Sequence, residues 1–558
     1  MGNGRIENFK AMLRRTGGVA GYDAVRSLAE VAALAVRTTH NGVSGLRSTM
    51  AVKGKREGLI RKGASWYLLA PPSLDRDLAY RNFEWVIRAL DTDGIGWWWV
   101  DGVEATAKVT IAVNHSARGA AVRALHEAAV RDDASASLRI QGPDVESVQL
   151  ALAADAARSL SGARLVRVAR LEYDEKHQRA RGLELGCEVE FWRFADDGSV
   201  RAPRENRAAA QLDGASAKLT TATRAGREVP IPEVFTHTML DDVTFPIDVV
   251  YTWVDGDDPS WRARKARAAG DDVSTAAFHL ESTHAARFRS RDELRYSLRS
   301  LDDFAPWVNH IYIVTDRQVP EWLDTSNPRV TVVDHSEIFP DDGTLPVFNS
   351  NAIISRLHHI PGLSEHFIYM NDDVVLGRAV APNQFFLANG IALVSPSRNH
   401  RPFGDPSLEV EPHLNITRNI RALLRPSTGR TPARAIKHTP HPMLKSALQE
   451  LEDTYTEAYE RTMRHKFRHH TDIVADQLHH YYAQIIGKAV PGQLEYAYVN
   501  VLDVAYESTL ADLLHRRHRD AVCLNDAPVP NAEPIEPARV GDFLDRYFPA
   551  ASAFEKQS

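Results

Sequence analysis

The chain has 558 residues, 44% of them hydrophobic and 25% charged, with a formal net charge of −6. This is the make-up of a globular protein of about two to four domains, and its acidic balance gives no reason to expect nucleic acid as a partner. The two cysteines, Cys187 and Cys523, exclude a disulfide scaffold and a Cys-rich zinc site and suit a reducing cytoplasm.

Residues 1–65 form a basic leader, with 12 Lys or Arg against 4 Asp or Glu up to Gly63. Lys10, Arg14 and Arg15 interrupt any apolar core of a secretory signal. No stretch of the chain approaches the roughly 18 uncharged apolar residues of a membrane span. Tyr22 to Thr39 places Val25, Leu28, Val31, Leu34 and Val36 at helical spacing. Such a helix is either a solvated surface element or a peripheral dock for an anionic membrane face. The expected location is the cytoplasm, at the inner membrane face.

Residues 66–240 read as a smaller mixed α/β domain. Strands are expected at Ser65–Leu69 and Leu138–Ile140, and helices at Asp75–Leu90 and Ala117–Val130. The run Leu183–Phe194 opens a hairpin whose turn is Asp196-Asp197-Gly198. Trp97-Trp98-Trp99 suits a buried aromatic cluster better than a sugar platform. Gln211 to Pro232, polar and rich in Ala and Thr, reads as a linker.

From residue 241 to 558 short apolar runs alternate with helical patterns, the texture of an α/β sheet. Ile247 to Val254 is a buried strand interrupted by Asp248 and ending in Asp255-Gly256-Asp257-Asp258-Pro259. Ligands in such sheets bind at the carboxyl ends of strands, and an acid inside a buried strand is costly unless paired or functional. Asp248 is therefore a candidate contact to a nucleobase or ribose, whereas Asp257 and Asp258 suit the turn itself. Asp292 to Phe304 forms a helix on which Arg295 and Arg299 lie four apart, on one face. Arg295 is a candidate for a donor diphosphate; Arg299 reads as a surface residue balanced by Asp302 and Asp303.

In Phe367 to Leu376 the triplet Asn371-Asp372-Asp373 falls between two apolar strands. Two adjacent carboxylates there repel unless a cation lies between them, and Mg²⁺ (or Mn²⁺) on a diphosphate is the usual answer. His438 and His441 lie three apart before a helix at Leu444 to Met463, and the segment closes with His465 to Asp472. A histidine is the natural base for a sugar hydroxyl near neutral pH, and either of the two can fill that role. Arg468 can neutralise charge on a transferring phosphoryl group. The strand Ala521–Leu524 ends in Asn525-Asp526, which can complete a metal site opposite Asp372 and Asp373.

Five strings carry a resemblance to a known family: IDVVYTWVDGDDP, ELRYSLRSLDDFAPWVNHIYIVTDRQVPEWL, FIYMNDDV, the pair HTPH and HKFRHHTD, and VCLND. Together they resemble the Stealth family of polysaccharide phosphotransferases, over roughly Phe245 to Phe554. The resemblance implies a glycosyltransferase-like, nucleotide-sugar-binding α/β catalytic domain with helical insertions. It implies donor-binding segments at Asp248, Arg295 and Asn371, and a divalent metal at Asp372 and Asp373 aided by Asn525 and Asp526. His438 matches the family's catalytic histidine and Arg468 its essential arginine. Ile354 departs from the animal relatives, which carry glutamate there. The implied reaction moves a sugar-1-phosphate from a nucleotide-sugar, with UDP as the expected nucleotide, to a glycan hydroxyl in exopolysaccharide or capsule synthesis. The alternatives are a metal-dependent glycosyltransferase releasing UDP and a non-catalytic polysaccharide-binding protein.

Overall fold

The computed structural model describes residues 58–63, 65–102, 108–132, 137–142, 145–149, 159–272, 292–407, 409–410, 412–502, 506–525 and 537–557. The expected helix at Tyr22–Thr39 and the candidate ligand Asp526 lie outside these residues. Two compact units divide the chain, the first running to Thr236 and the second from His237 onward, with residues 72–76 grouped with the second.

The first unit is built on a mixed eight-stranded sheet. Its central strand, Cys187–Phe194, runs parallel to Thr110–Asn114 and antiparallel to Leu165–Arg170. Helices Asp75–Thr92 and Arg118–Arg131 contribute Phe83, Val86, Leu90, Val122 and Leu125 to its core. Trp98 and Trp99 are buried in that core, edge-on to Trp192 and Phe83, so the tryptophan triplet packs rather than faces a ligand. Two sequence readings are corrected here. The leader is shorter than 65 residues, because Leu59–Lys62 already pairs with Ser65–Leu69. The presumed linker Gln211–Pro232 is a hairpin: Leu219–Arg224 pairs with Arg227–Pro232 around a two-residue turn. Ala225 and Gly226 both take positive φ there (51° and 73°), the geometry that lets two strands reverse with matching twist. The strand Leu219–Arg224 is mostly exposed, which is why it carries no apolar signal.

The second unit holds a five-stranded sheet. Its strands, in chain order, are β1 (Ile247–Thr252), β2 (Ile311–Thr315), β3 (Val330–Asp334), β4 (His366–Asn371) and a last strand, His441–Leu444. The spatial order is β3-β2-β1-β4 and then His441–Leu444, with only that last strand antiparallel. Alternate residues of β1 serve opposite faces. Val249 and Tyr251 join one core with Leu294, Leu298 and Leu301 of helix α1 (Glu293–Phe304), while Val250 joins another with Leu448 and Leu478. A sheet covered on both faces explains the near-continuous apolar runs. The helix expected over Leu444 to Met463 divides at Tyr455 into Lys445–Thr454 and Thr456–Arg464.

A smaller sheet completes the unit: β5 (Val374–Leu376) lies antiparallel to β7 (Ala521–Asn525), and β6 (Tyr496–Asn500) lies parallel to β7. The two-residue turn Asp372-Asp373 is thus the covalent link from β4 of the large sheet to β5 of the small one. Chain order reverses direction across β1 and β4, and the carboxyl ends of these two strands, Thr252 and Asn371, lie opposite one another. Open α/β sheets bind ligands at such a switch point.

Candidate functional site

At the end of β4 a chain of hydrogen bonds leads to His438. Tyr369 donates its hydroxyl to Asn371 Oδ1 at 2.7 Å, which fixes the amide and leaves Thr252 as donor to Tyr369 at 3.0 Å. The amide nitrogen of Asn371 is then turned to His438 Nε2, 2.9 Å away. The same Nε2 is 3.3 Å from Asp373 Oδ1. One imidazole nitrogen therefore sits between a donor and an acceptor, able to receive an N–H in the neutral ring or donate one in the charged ring. Burial lowers the pKa of His438, but the Asp373 charge and hydrogen bond outweigh it and raise the group above its ordinary value.

Asp373 is also met from β7. Asn525 donates its amide to Oδ2 at 3.3 Å, and the Cys523 thiol lies 3.5 Å from the same oxygen. Leu524 donates its backbone N–H to the Asp373 carbonyl at 2.9 Å, locking the turn to the small sheet. Burial alone would raise Asp373; His438, Asn525 and Cys523 outweigh it and hold the carboxyl below the usual range. Asp372 goes the opposite way. Burial, the charge of Glu293 and the charge of Asp373 push it well above the usual range. Glu293 itself is 6% exposed, at the first turn of α1. Asp373, His438 and Cys523 each present a ligand atom within 4.8 Å of the others. With Asp372 and Glu293 beside Asp373, the carboxylates fit a divalent cation, since carboxylates that repel are what such an ion draws together.

The site thus unites Asn371, Asp372, Asp373, His438 and Asn525, as the sequence anticipated, but gives Asn371 a different task. Its amide nitrogen is turned to His438. Other candidates lie elsewhere. Asp248 is fully buried near the start of β1, and accepts from Asn309 and from the Ser364 backbone, each at 2.7 Å. Four residues separate it from Thr252, about 13 Å along a strand. It ties the loops of Asn309 and Ser364 to the start of β1. Arg295 and Arg299 both clamp Glu555, at 2.5 Å and 2.7 Å, and Arg299 is buried rather than on the surface. Arg295 is two residues past Glu293, some 200° round the helix, and so points away from the carboxylates. His441 is buried with Nδ1 2.9 Å from Asp476 and Nε2 3.0 Å from the Lys437 carbonyl, leaving no ring nitrogen for a substrate. Arg468 donates to Ser350 at 2.6 Å from a loop organised by Asp472, which is bound by Asn349, Asn351 and His465. Ile354 is a core residue of the unit and offers no polar contact.

Two members of the site escaped the sequence reading, Glu293 and Cys523. Cys523 was in principle legible, since positions 523 and 525 share one face of a strand. Glu293 was not, because an acid in a helix's first turn is explained by the helix dipole alone.

Comparison with known proteins follows the same segments. Four regions match, described as Stealth protein conserved regions 1 to 4: residues 245–272, 287–394, 437–484 and 511–558. The exopolysaccharide phosphotransferase SCO6023 of Streptomyces coelicolor is 40% identical over 510 residues, covering 88% of this chain and 84% of that one. The exopolysaccharide phosphotransferase CpsY of Mycobacterium tuberculosis is 35% identical over 450 residues, covering 80% and 83%. Among solved structures, the galactosyltransferase LgtC aligns with 53% of this chain and 95% of its own, at 9% identity and a TM-score of 0.26. Mouse xyloside xylosyltransferase 1 aligns with 51% and 100%, at 12% identity and a TM-score of 0.26. The chain is a transferase whose second unit is built on an α/β sheet. The chain belongs to the Stealth family of phosphotransferases.

Proposed function

We propose that the chain transfers a sugar-1-phosphate from a nucleoside-diphosphate sugar, with UDP as the nucleotide, to a glycan hydroxyl in exopolysaccharide or capsule synthesis. The observation that carries this reading is His438 Nε2 held between the Asn371 amide and the Asp373 carboxylate, beside the converging acids Asp372 and Glu293. Asp373, with Asp372 and Asn525, would hold Mg²⁺ or Mn²⁺. That cation, when bound, neutralises the donor diphosphate.

The acceptor hydroxyl oxygen forms a bond to the β-phosphorus, the bridging bond to the α-phosphate breaks, and UMP leaves with the bonding pair. His438 takes the hydroxyl proton, and Asn371, fixed through Tyr369 and Thr252, keeps the ring in place. Phosphoryl transfer asks mainly for positioning and charge stabilisation, and no covalent nucleophile is needed. Arg468 is assigned to the charge of the transferring group on the family resemblance, its guanidinium oriented by Ser350. The reading places the enzyme in the cytoplasm at the inner membrane face, tethered by the basic leader. Among the described residues no helix is long and apolar enough to cross a membrane, which is compatible with peripheral work.

The test is product analysis with Mg²⁺, a panel of UDP-sugars and a crude surface glycan. UMP together with a new phosphodiester signal in ³¹P NMR is the expected result. UDP without that signal would replace phosphotransfer by glycosyl transfer.

A further inference from the structure

Between the second and third family regions, which end at 394 and begin at 437, the chain builds an arm that neither region includes. Its strands Pro396–His400 and Arg434–Ile436 pair antiparallel, and helix Pro412–Thr428 lies between them in sequence. Residues 396–437 carry eight Lys or Arg against three Asp or Glu, in a chain whose net charge is −6. Seven of the eight are arginine, the side chain whose planar fork matches carboxylate and phosphate oxygens.

The arm's own fold uses some of these charges without cancelling them. Arg421 is buried and donates to three backbone carbonyls, of Pro402, Pro432 and Arg401, at 2.6, 2.7 and 2.8 Å. Arg418 donates to the Asp405 carbonyl at 2.7 Å. Carbonyls satisfy the N–H groups but leave the positive charge in place. Arg398, Arg430 and Arg434 are exposed, and none of them forms an ion pair with a carboxylate among the described residues. The arm also shows an aromatic ring to solvent. Phe403 is 68% exposed, with the Arg421 guanidinium stacked 4.0 Å from its centroid. Finally, the arm is continuous with the site. The strand Arg434–Ile436 runs through Lys437 directly into His438, so Arg434 stands within about 13 Å of the base along an extended chain.

We propose that this arm binds the acceptor as an anionic glycan, a polysaccharide that already carries phosphodiester or carboxylate groups. The proposal rests on the sugar-1-phosphate reading above and gives its acceptor a chemical class. Each transfer of a sugar-1-phosphate adds one negative charge to the product. An enzyme that adds repeatedly to one chain must hold that growing anion beside its base, and the exposed Arg398, Arg430 and Arg434 supply positive charge on the stretch that leads into His438. The exposed ring suits the apolar face of a pyranose. A membrane surface is the less favoured partner, because the arm presents one aromatic and forked cations rather than a broad apolar face with lysines.

The experiment is equilibrium binding of the full chain, without nucleotide-sugar, to fluorescein-labelled phosphomannan and to the same mannan after dephosphorylation. The phosphorylated chain should bind about tenfold or more tightly, and its binding should weaken steadily between about 0.05 and 0.5 M salt. The variant R398E/R430E/R434E should lose that preference while keeping its melting temperature and circular dichroism. Equal binding of the two mannans, or an undiminished preference in a folded variant, would overturn the proposal. So would binding to phosphatidylglycerol vesicles with none to phosphomannan. If the triple variant does not fold, the salt titration of the unaltered chain decides: salt-independent binding sinks the idea. Release of UDP rather than UMP in the product assay would refute the reaction assigned above, yet it would not alter which mannan binds.

Discussion

Glu188 of the first unit and Asp372 of the second are acids in opposite surroundings. In the first unit the buried Glu188 and Glu172 are each closed by two arginines. Glu188 is met by Arg167 and Arg204, both at 2.5 Å, and Glu172 by Arg81 and Arg181 at 3.0 and 2.9 Å. In the second unit Asp372 lies beside Glu293 and Asp373, like charge against like, and its carboxyl is pushed far up. Glu188 goes down instead, because its two arginines outweigh the burial that would raise it. A buried acid inside a ring of arginines stabilises a fold at best modestly. A half-buried acid among other acids, as Asp372 is, destabilises one, and persists where a ligand relieves it.

The sharpest way to break this contrast is to remove the acids and the base. Asp373→Asn and His438→Asn should each lower turnover by about 10³-fold with little change in melting temperature. His441→Asn should cost far less, since its ring is committed to Asp476 and Lys437. Comparable losses at 438 and 441 would undo the choice of base. A buried imidazole gives the next effect. Burial holds His335 at a pKa of about 4, against the pull of Asp316 and Asp334. Its folded pKa lies below the unfolded value of about 6.5, so the unfolded chain binds the proton first as pH falls. Stability should therefore drop by on the order of 3 kcal/mol from this residue between pH 6.5 and 4, and denaturant titrations of His335→Asn should show a shallower slope there. In the first unit, Glu188→Gln should destabilise by about 2 kcal/mol. This is less than for a fully buried pair, because Arg204 is 43% exposed. Smallest and opposite in sign, Asp372→Asn should stabilise the metal-free chain by about 1 kcal/mol while abolishing activity; a loss of stability there would mean the acids are not in conflict.

The same contrast explains what the sequence could disclose. The strands of the second unit were legible because both faces of its sheet are buried; Asp372, Asp373 and Asn525 were legible because they follow apolar runs, and His438 through the His-Thr-Pro-His string and the family resemblance. Asp248 looked equally functional. Its partners Asn309 and Ser364 lie 61 and 116 residues away, so no local pattern could show that it was satisfied. Arg295 failed in the same manner, with its partner Glu555 lying 260 residues along the chain. The hairpin around Ala225-Gly226 was read as a linker because its turn lacks the Asn-Gly signature and its first strand is exposed. Local chemistry marks where a side chain has a reason to act. Only the fold shows whether a distant partner has already claimed it.

The spacing of the site along the chain has a consequence for the protein's synthesis. Glu293 is set by a helix that Glu555 clamps, and Asp373 is completed by Asn525, about 150 residues downstream. A ribosome that has released only the donor-side strands has made none of the closing contacts. The partial chain holds its acids without the amide and thiol that steady one of them, or the clamp that sets Glu293. The contacts around Asp373 and Glu293 are complete only once residues up to 555 have emerged, so a fragment ending short of them should be inactive.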